Sequence, residues 1–190
     1  MGFLNFLRRR KKFSLDWIQI EVTSLCKSSC FYCPHTIDKD HWRHGSMSLE
    51  TFKQIAPDFK VANLIHLQGW GEPFLNENLL EMIEIAKKEG CQVGLTTNGM
   101  YLEPETINHL IELQLDILAI SLAGTKSETH NRLRAGTDFE LITRSLLELK
   151  EKKALKNALL PRVHLAYIML KSNFEDLGRI IDYAKQIGSE

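Results

Sequence analysis

"NLIHLQGWGEPFLNENLLEMIEIAKKEGCQVGLTT", residues 63–97, carries one strand, one helix and a second strand in a single run. "NLIHLQ" (63–68) reads as a strand, closed by Gly69. From 76 to 90, Leu79, Met82, Ile83 and Ala86 recur at helical spacing on one face, and Gly90 supplies the stop. "CQVGLTT" (91–97) returns to strand character. Two strands joined through a helix, with no hairpin turn between them, predict parallel pairing over a crossover.

The same unit repeats outward in both directions. Upstream, "DWIQIEV" (16–22) alternates like a strand, and "SLETFKQIAPDF" (48–59) reads as a helix with Ser48 as N-cap. Downstream, "PETINHLIELQ" (104–114) opens a helix with proline, and "DILAISL" (116–122) is a strand. "DFELITRSLLELKEKK" (138–153) is a helix with Phe139, Ile142, Leu146 and Leu149 inward. "RVHLAYIML" (162–170) is a strand and "NFEDLGRIIDYAKQIG" (173–188) a helix. Five strand–helix units at a pitch of roughly 35 residues predict an α/β fold with a parallel sheet, in one domain over residues 14–190. An open doubly wound sheet and a barrel both satisfy this pattern, and both gather chemistry at the carboxyl ends of the strands.

Composition narrows the function. The chain has 190 residues, 44% hydrophobic and 25% charged, as a soluble globular domain does. Lys+Arg and Asp+Glu both number 24, so the net charge is zero, which argues against a nucleic-acid-coating protein. No apolar run approaches the roughly 18 residues of a membrane span. The biased segment "MGFLNFLRRRKK" places its charges after its apolar residues, unlike a secretory signal, and reads as a basic tail over residues 1–13.

The unusual stretches fall on one rim. "SLCKSSCFYCPHT" (24–36) follows the first strand and puts Cys26, Cys30 and Cys33 in C-x3-C-x2-C spacing. "GWGEP" (69–73), "TNG" (97–99), "SLAGT" (121–125) and "LKSN" (170–173) follow the next four. Clustered thiols point to a metal site in a reducing compartment, hence the cytoplasm. A structural zinc would need a fourth ligand, for which His35, His41 or His44 are at hand. A cubane iron–sulfur cluster held by three thiolates would keep one iron open to another ligand. Cys91 begins its strand, roughly 20 Å from the rim at about 3.3 Å per residue, and reads as a small buried hydrophobe. His66 and His164, within strands, read as packing histidines, and the three loop histidines as solvent-exposed.

The cysteine spacing, with Tyr32 before the last thiol, resembles the signature of the radical S-adenosylmethionine (radical SAM) superfamily. "GWGEP" resembles that family's Gly-Gly-Glu-Pro motif. "TTNG" and "SLAGTKSETHNRLRAG" resemble its third- and fourth-strand segments, in the branch that modifies peptides and matures cofactors. The resemblance covers about residues 16 to 185. It departs at Trp70, where the family has glycine, and at Ala123, where it often has Asp. It implies a partial parallel (β/α) barrel with a 4Fe–4S cluster on Cys26, Cys30 and Cys33 and S-adenosylmethionine on the open iron. It further implies that Tyr32 and Leu170 lie by the adenine, and that Gly71 and Glu72 meet the methionyl amine. Asn98 and Ser121 would contact the ribose or methionyl end, and Arg134 the carboxylate. An electron donor of flavodoxin or ferredoxin type is implied, with a peptide or cofactor precursor as substrate. The alternatives are a zinc-binding interaction module and a cluster-holding fragment without turnover. Relatives commonly have six strand–helix units, and five are counted here. The strand 162–170 is therefore expected to be a free edge that promotes association.

Overall fold

Five parallel strands, joined in chain order, form the sheet of the computed structural model, which describes residues 14–189. The basic segment 1–13 lies outside the described residues. The strands are β1 (Leu15–Ile20), β2 (Ser29–Cys30), β3 (Ala62–Leu67), β4 (Gln92–Thr97), β5 (Ile117–Leu122), β6 (Arg134–Ala135) and β7 (Arg162–Tyr167). The helices are α1 (Pro34–Ile37), α2 (Leu49–Ile55), α3 (Leu79–Lys88), α4 (Pro104–Glu112), α5 (Ser127–Leu133), α6 (Phe139–Leu155) and α7 (Ile180–Ile187). The sheet runs β1-β3-β4-β5-β7, and β2 pairs with β6 in a separate antiparallel ribbon.

This strand order decides between the two closures. A doubly wound sheet reverses direction partway, whereas here each strand joins the same growing edge. Right-handed crossovers then place every connecting helix on one face, which gives a partial barrel. On that face Ile65, Leu67, Val93, Leu95, Leu118, Ile120 and Val163 pack with Phe52, Met82, Ile107, Leu146 and Tyr183 in a single core. The alternate residues line the inner face in rows set by the register: Gln19, His66 and Gly94, then Ala119 and His164, then Ser121 and Ala166. His66 and His164 are therefore inner-face residues rather than members of the helix-covered core. His66 Nε2 lies 2.7 Å from Thr96 Oγ1, which donates in turn to Gln68 Oε1 at 2.9 Å.

Several element bounds differ from the sequence reading, each for a local reason. α2 begins after Ser48, whose Oγ accepts the Thr51 N–H, but it ends at Ile55 and gives way to a 3-10 turn, Ala56–Val61. Pro57 has no N–H to continue the helical ladder. β7 ends at Tyr167 rather than at 170, and a 3-10 stretch, Lys171–Arg179, precedes α7. The buried Asn173 turns the chain there, donating to the carbonyls of Ala123 and Ile168 and accepting from Leu170 N. α1, α5 and the β2–β6 ribbon lie in segments read as loops. No helix among the described residues is long and apolar enough to cross a membrane.

Candidate functional site

A cavity of about 380 Å³ opens at the carboxyl ends of the strands. Nine of the ten residues singled out beforehand line it: Cys26, Cys30, Tyr32, Cys33, Gly71, Glu72, Asn98, Ser121 and Arg134. Leu170 does not. It lines a separate shallow surface pocket with Met169 and Phe174, because Asn173 has already turned the chain out of the strand. Ile168, whose N–H still bonds Leu122 O at 3.0 Å, lines the main cavity in its place. Ser28, Gln68, Thr96 and Thr97 also line it and were missed, since small polar residues beside a motif carry no periodic signal of their own.

The cysteine loop is fixed from three sides. Cys30 pairs with Arg134 across the β2–β6 ribbon, and Phe31 N donates to Leu133 O. A tight turn carries Cys33 N to Cys30 O at 3.0 Å. At the start of the loop, Glu72 N donates to Leu25 O at 2.7 Å. That contact explains the glycine before it: a Cβ on Gly71 would strike the Thr23 carbonyl and approach Leu25 O within 2.9 Å. Glu21, also missed, accepts from Trp70 N at 2.5 Å and from Gly71 N at 3.4 Å, so the end of β1 holds the Trp70 turn.

Glu72 is 2% exposed and clasps two rim loops. Its Oε1 accepts from Thr97 Oγ1 (2.7 Å) and Phe74 N, and its Oε2 from Asn98 N (2.7 Å). Burial pushes its carboxyl above the usual range, opposed by these hydrogen bonds and by the Arg134 charge. Asn98 is committed in the same way. Its side chain donates to Ser28 Oγ and accepts from Met100 N, an Asx turn that also braces the cysteine loop.

Arg134 faces this assembly from the other side. One guanidinium nitrogen, Nη1, donates to the Tyr32 hydroxyl at 2.7 Å, while the buried Nε has no partner. Behind it, His130 is fully buried with Nε2 3.1 Å from Thr137 Oγ1. Thr137 gives its one hydroxyl proton to Arg134 O at 2.6 Å, so it accepts from His130 Nε2–H. His130 Nδ1 then accepts from Ala123 N at 3.5 Å. Protonation would set two N–H groups against each other there, and burial with the nearby Arg134 charge lowers the His130 pKa to about 4.

Burial raises the thiol pKa of Cys26 and of Cys30; for Cys30 the Arg134 cation opposes this. Cys26, Cys30 and Cys33 are free thiols, as is Cys91, which is buried at the far end of β4 with Sγ donating to Phe59 O. A single tetrahedral zinc draws its ligands to within about 2.0–2.3 Å of one point. Among the described residues no three His, Cys, Asp or Glu side chains gather in that way. His41 pairs with Asp38, and His35 packs between Trp42 and His44. His35 is thus only partly exposed, whereas His41 and His44 are exposed as the sequence reading expects.

Comparison with known proteins agrees with this arrangement at the level of family. The profile of the Radical SAM superfamily matches residues 20–184. The chain is 26% identical over 183 residues to the tungsten-containing aldehyde ferredoxin oxidoreductase cofactor-modifying protein of Pyrococcus furiosus, covering 92% of this chain and 49% of that one. It is 29% identical over 176 residues to the probable GTP 3',8-cyclase of Methanocaldococcus jannaschii, covering 90% of this chain and 56% of that one. The chain thus spans about half the length of these relatives. Among solved structures, Streptococcus suis SuiB bound to S-adenosylmethionine superposes with a TM-score of 0.75 at 14% identity, over 94% of this chain and 40% of SuiB. At that identity the likeness is one of fold.

Proposed function

The chain belongs to the radical SAM superfamily, and on that premise we propose that its carboxyl rim holds a 4Fe–4S cluster and S-adenosylmethionine for hydrogen abstraction from a substrate. The observation that carries the reading is the opening of Cys26, Cys30, Cys33 and Arg134 onto one cavity. The residues fit the two groups. Three free thiols open onto one cavity, and a buried guanidinium N–H on the same cavity's Arg134 has no protein partner. The cluster, held by Cys26, Cys30 and Cys33, would supply the single electron for reductive cleavage of S-adenosylmethionine, and with it the power to abstract hydrogen from a substrate.

The protein's part is to bind and orient. Cys26, Cys30 and Cys33 are the thiolate ligands, and Arg134 is the cation for the methionyl carboxylate. Glu72 keeps acceptor capacity on Oε2 for the methionyl amine, while its other bonds hold the rim loops in register. Ser121 and Asn98 lie toward the ribose and methionyl end, with the Asn98 side chain already committed to bracing the loops. Tyr32 and Ile168, the latter in the place first expected for Leu170, flank the adenine. A flavodoxin- or ferredoxin-type protein delivers the electron in the cytoplasm. The substrate class is a cofactor precursor or peptide, in keeping with the names of the sequence relatives for the first.

Anaerobic reconstitution with iron and sulfide tests this. The expected product is brown, absorbs near 400 nm, and releases 5′-deoxyadenosine from S-adenosylmethionine with dithionite. Ala at Cys26, Cys30 or Cys33 singly should abolish both signals, and Cys91→Ala should retain them. A colourless protein that binds one zinc per chain, or a single loop-cysteine variant with full iron content, sinks the reading.

A further inference from the structure

Tyr32 enters the functional reading through its place beside the adenine, yet its hydroxyl is engaged elsewhere. The hydroxyl accepts from Arg134 Nη1 at 2.7 Å, across 102 positions of sequence. The two residues are brought together by the ribbon, in which Cys30 and Arg134 are direct partners. The Arg134 backbone is held a second time by the Thr137 hydroxyl on its carbonyl, with the buried His130 behind. The guanidinium is therefore fixed at its root by backbone pairing and at its tip by a phenol.

Which edge of the guanidinium remains matters. A guanidinium binds a carboxylate side-on through Nε–H and the Nη on the same side, or end-on through its two Nη groups. Tyr32 takes one of the two N–H groups on Nη1, so the other N–H of Nη1, the two on Nη2 and the one on Nε remain. Nε is buried without a protein partner, on a residue that lines the cavity. A buried donor without a partner is unfavourable until a ligand satisfies it.

We propose that Tyr32 is a positioning residue: its hydroxyl holds the Arg134 guanidinium at the cavity so that the N–H groups left free there receive the methionyl carboxylate. This rests on the functional reading above and deepens it, because it makes carboxylate recognition and the cysteine loop one mechanical unit. Tyr32 stands between two of the cluster thiols and on the same turn as the residue paired with Arg134. A ligand carboxylate on Arg134 therefore braces the loop that carries Cys30 and Cys33.

The test compares S-adenosylmethionine with decarboxylated S-adenosylmethionine, which lacks only the carboxylate. Binding is read by calorimetry on the reconstituted holoprotein, with iron content matched between variants. Tyr32→Phe removes one oxygen and keeps the ring packed edge-on to Phe31 at 5.5 Å, so the variant should fold. The expected result is an affinity for S-adenosylmethionine weakened about 3- to 10-fold, with that for the decarboxylated ligand unchanged. In an Arg134→Ala background, Tyr32→Phe should have no further effect, because the group it positions is gone. Equal weakening of both ligands, or a Tyr32→Phe effect that persists without Arg134, overturns the positioning role while leaving the functional reading standing. Failure of the wild-type holoprotein to bind S-adenosylmethionine overturns the functional reading and this inference with it.

Discussion

At the scale of single residues, Glu72 and His130 do more holding than their motif positions suggest. Glu72 receives three protein donors on two oxygens and ties the turn after β3 to the turn after β4. Its replacement by Ala leaves Thr97 Oγ1 and Asn98 N buried without acceptors. Urea unfolding should show a loss of roughly 2–4 kcal/mol, in addition to an affinity for S-adenosylmethionine weakened about 10-fold or more. An unchanged unfolding midpoint would remove the clasp from the account. His130 makes a pH prediction. Its folded pKa is about 4 against 6.5 unfolded, so between those values the unfolded chain binds the extra proton and stability rises with pH. On acidification the contribution begins to fall near pH 6.5 and is lost by about pH 4, amounting to roughly 3 kcal/mol. His130→Gln, whatever its own stability, should flatten that slope; denaturation midpoints from pH 7.5 to 4.5 that run parallel for the two proteins would refute the assignment. Neither role was legible beforehand. Glu72 was read from its motif as a ligand contact and His130 was assigned no role, because hydrogen bonds between distant loops leave no trace in spacing.

At the scale of elements, the regular pieces were legible and the joints were not. Leu79, Met82, Ile83 and Ala86 mark α3, and all four are buried against the sheet. The β2–β6 ribbon has two residues a side and no periodicity to read, yet it unites the cysteine loop with Arg134. Gly71 belongs to this scale. The sequence reading assigned its bareness to an approaching ligand, whereas the structure already fills the space above it with the backbone of residues 23 and 25. Gly71→Ala should therefore displace the start of the cysteine loop. Its circular dichroism should stay near wild type while reconstituted iron falls to less than half. Full iron loading would show that the loop has slack that the close contact with the Thr23 carbonyl denies.

At the scale of the whole molecule, the sheet ends on open edges. β7 pairs only with β5 among the described residues, and its outer side carries no partner strand. Met169, Phe174 and Ile181, in the segment that follows, are each more than 60% exposed. Unpaired parallel edges beside apolar side chains promote association. Light scattering of the reconstituted chain should give a mass that rises with concentration, and Met169→Lys with Phe174→Lys should suppress the rise. A monomer at all concentrations would mean that the edge is already blunted by its own twist and loops.

What the sequence determined by itself was everything carried by local period and spacing. The five strands and the helices between them followed from apolar recurrence, because burial of one face is a property of each segment. The family followed from three thiols at fixed intervals, with Glu-Pro on the next unit. Tertiary structure alone decided the closure of the sheet, since both windings share one local pattern and differ only in which edge each strand joins. It also exchanged Leu170 for Ile168 at the cavity, through one buried asparagine that ends a strand early. And it brought Tyr32 to Arg134, a contact set by pairing two residues of one loop against two of another, which no one-dimensional pattern encodes.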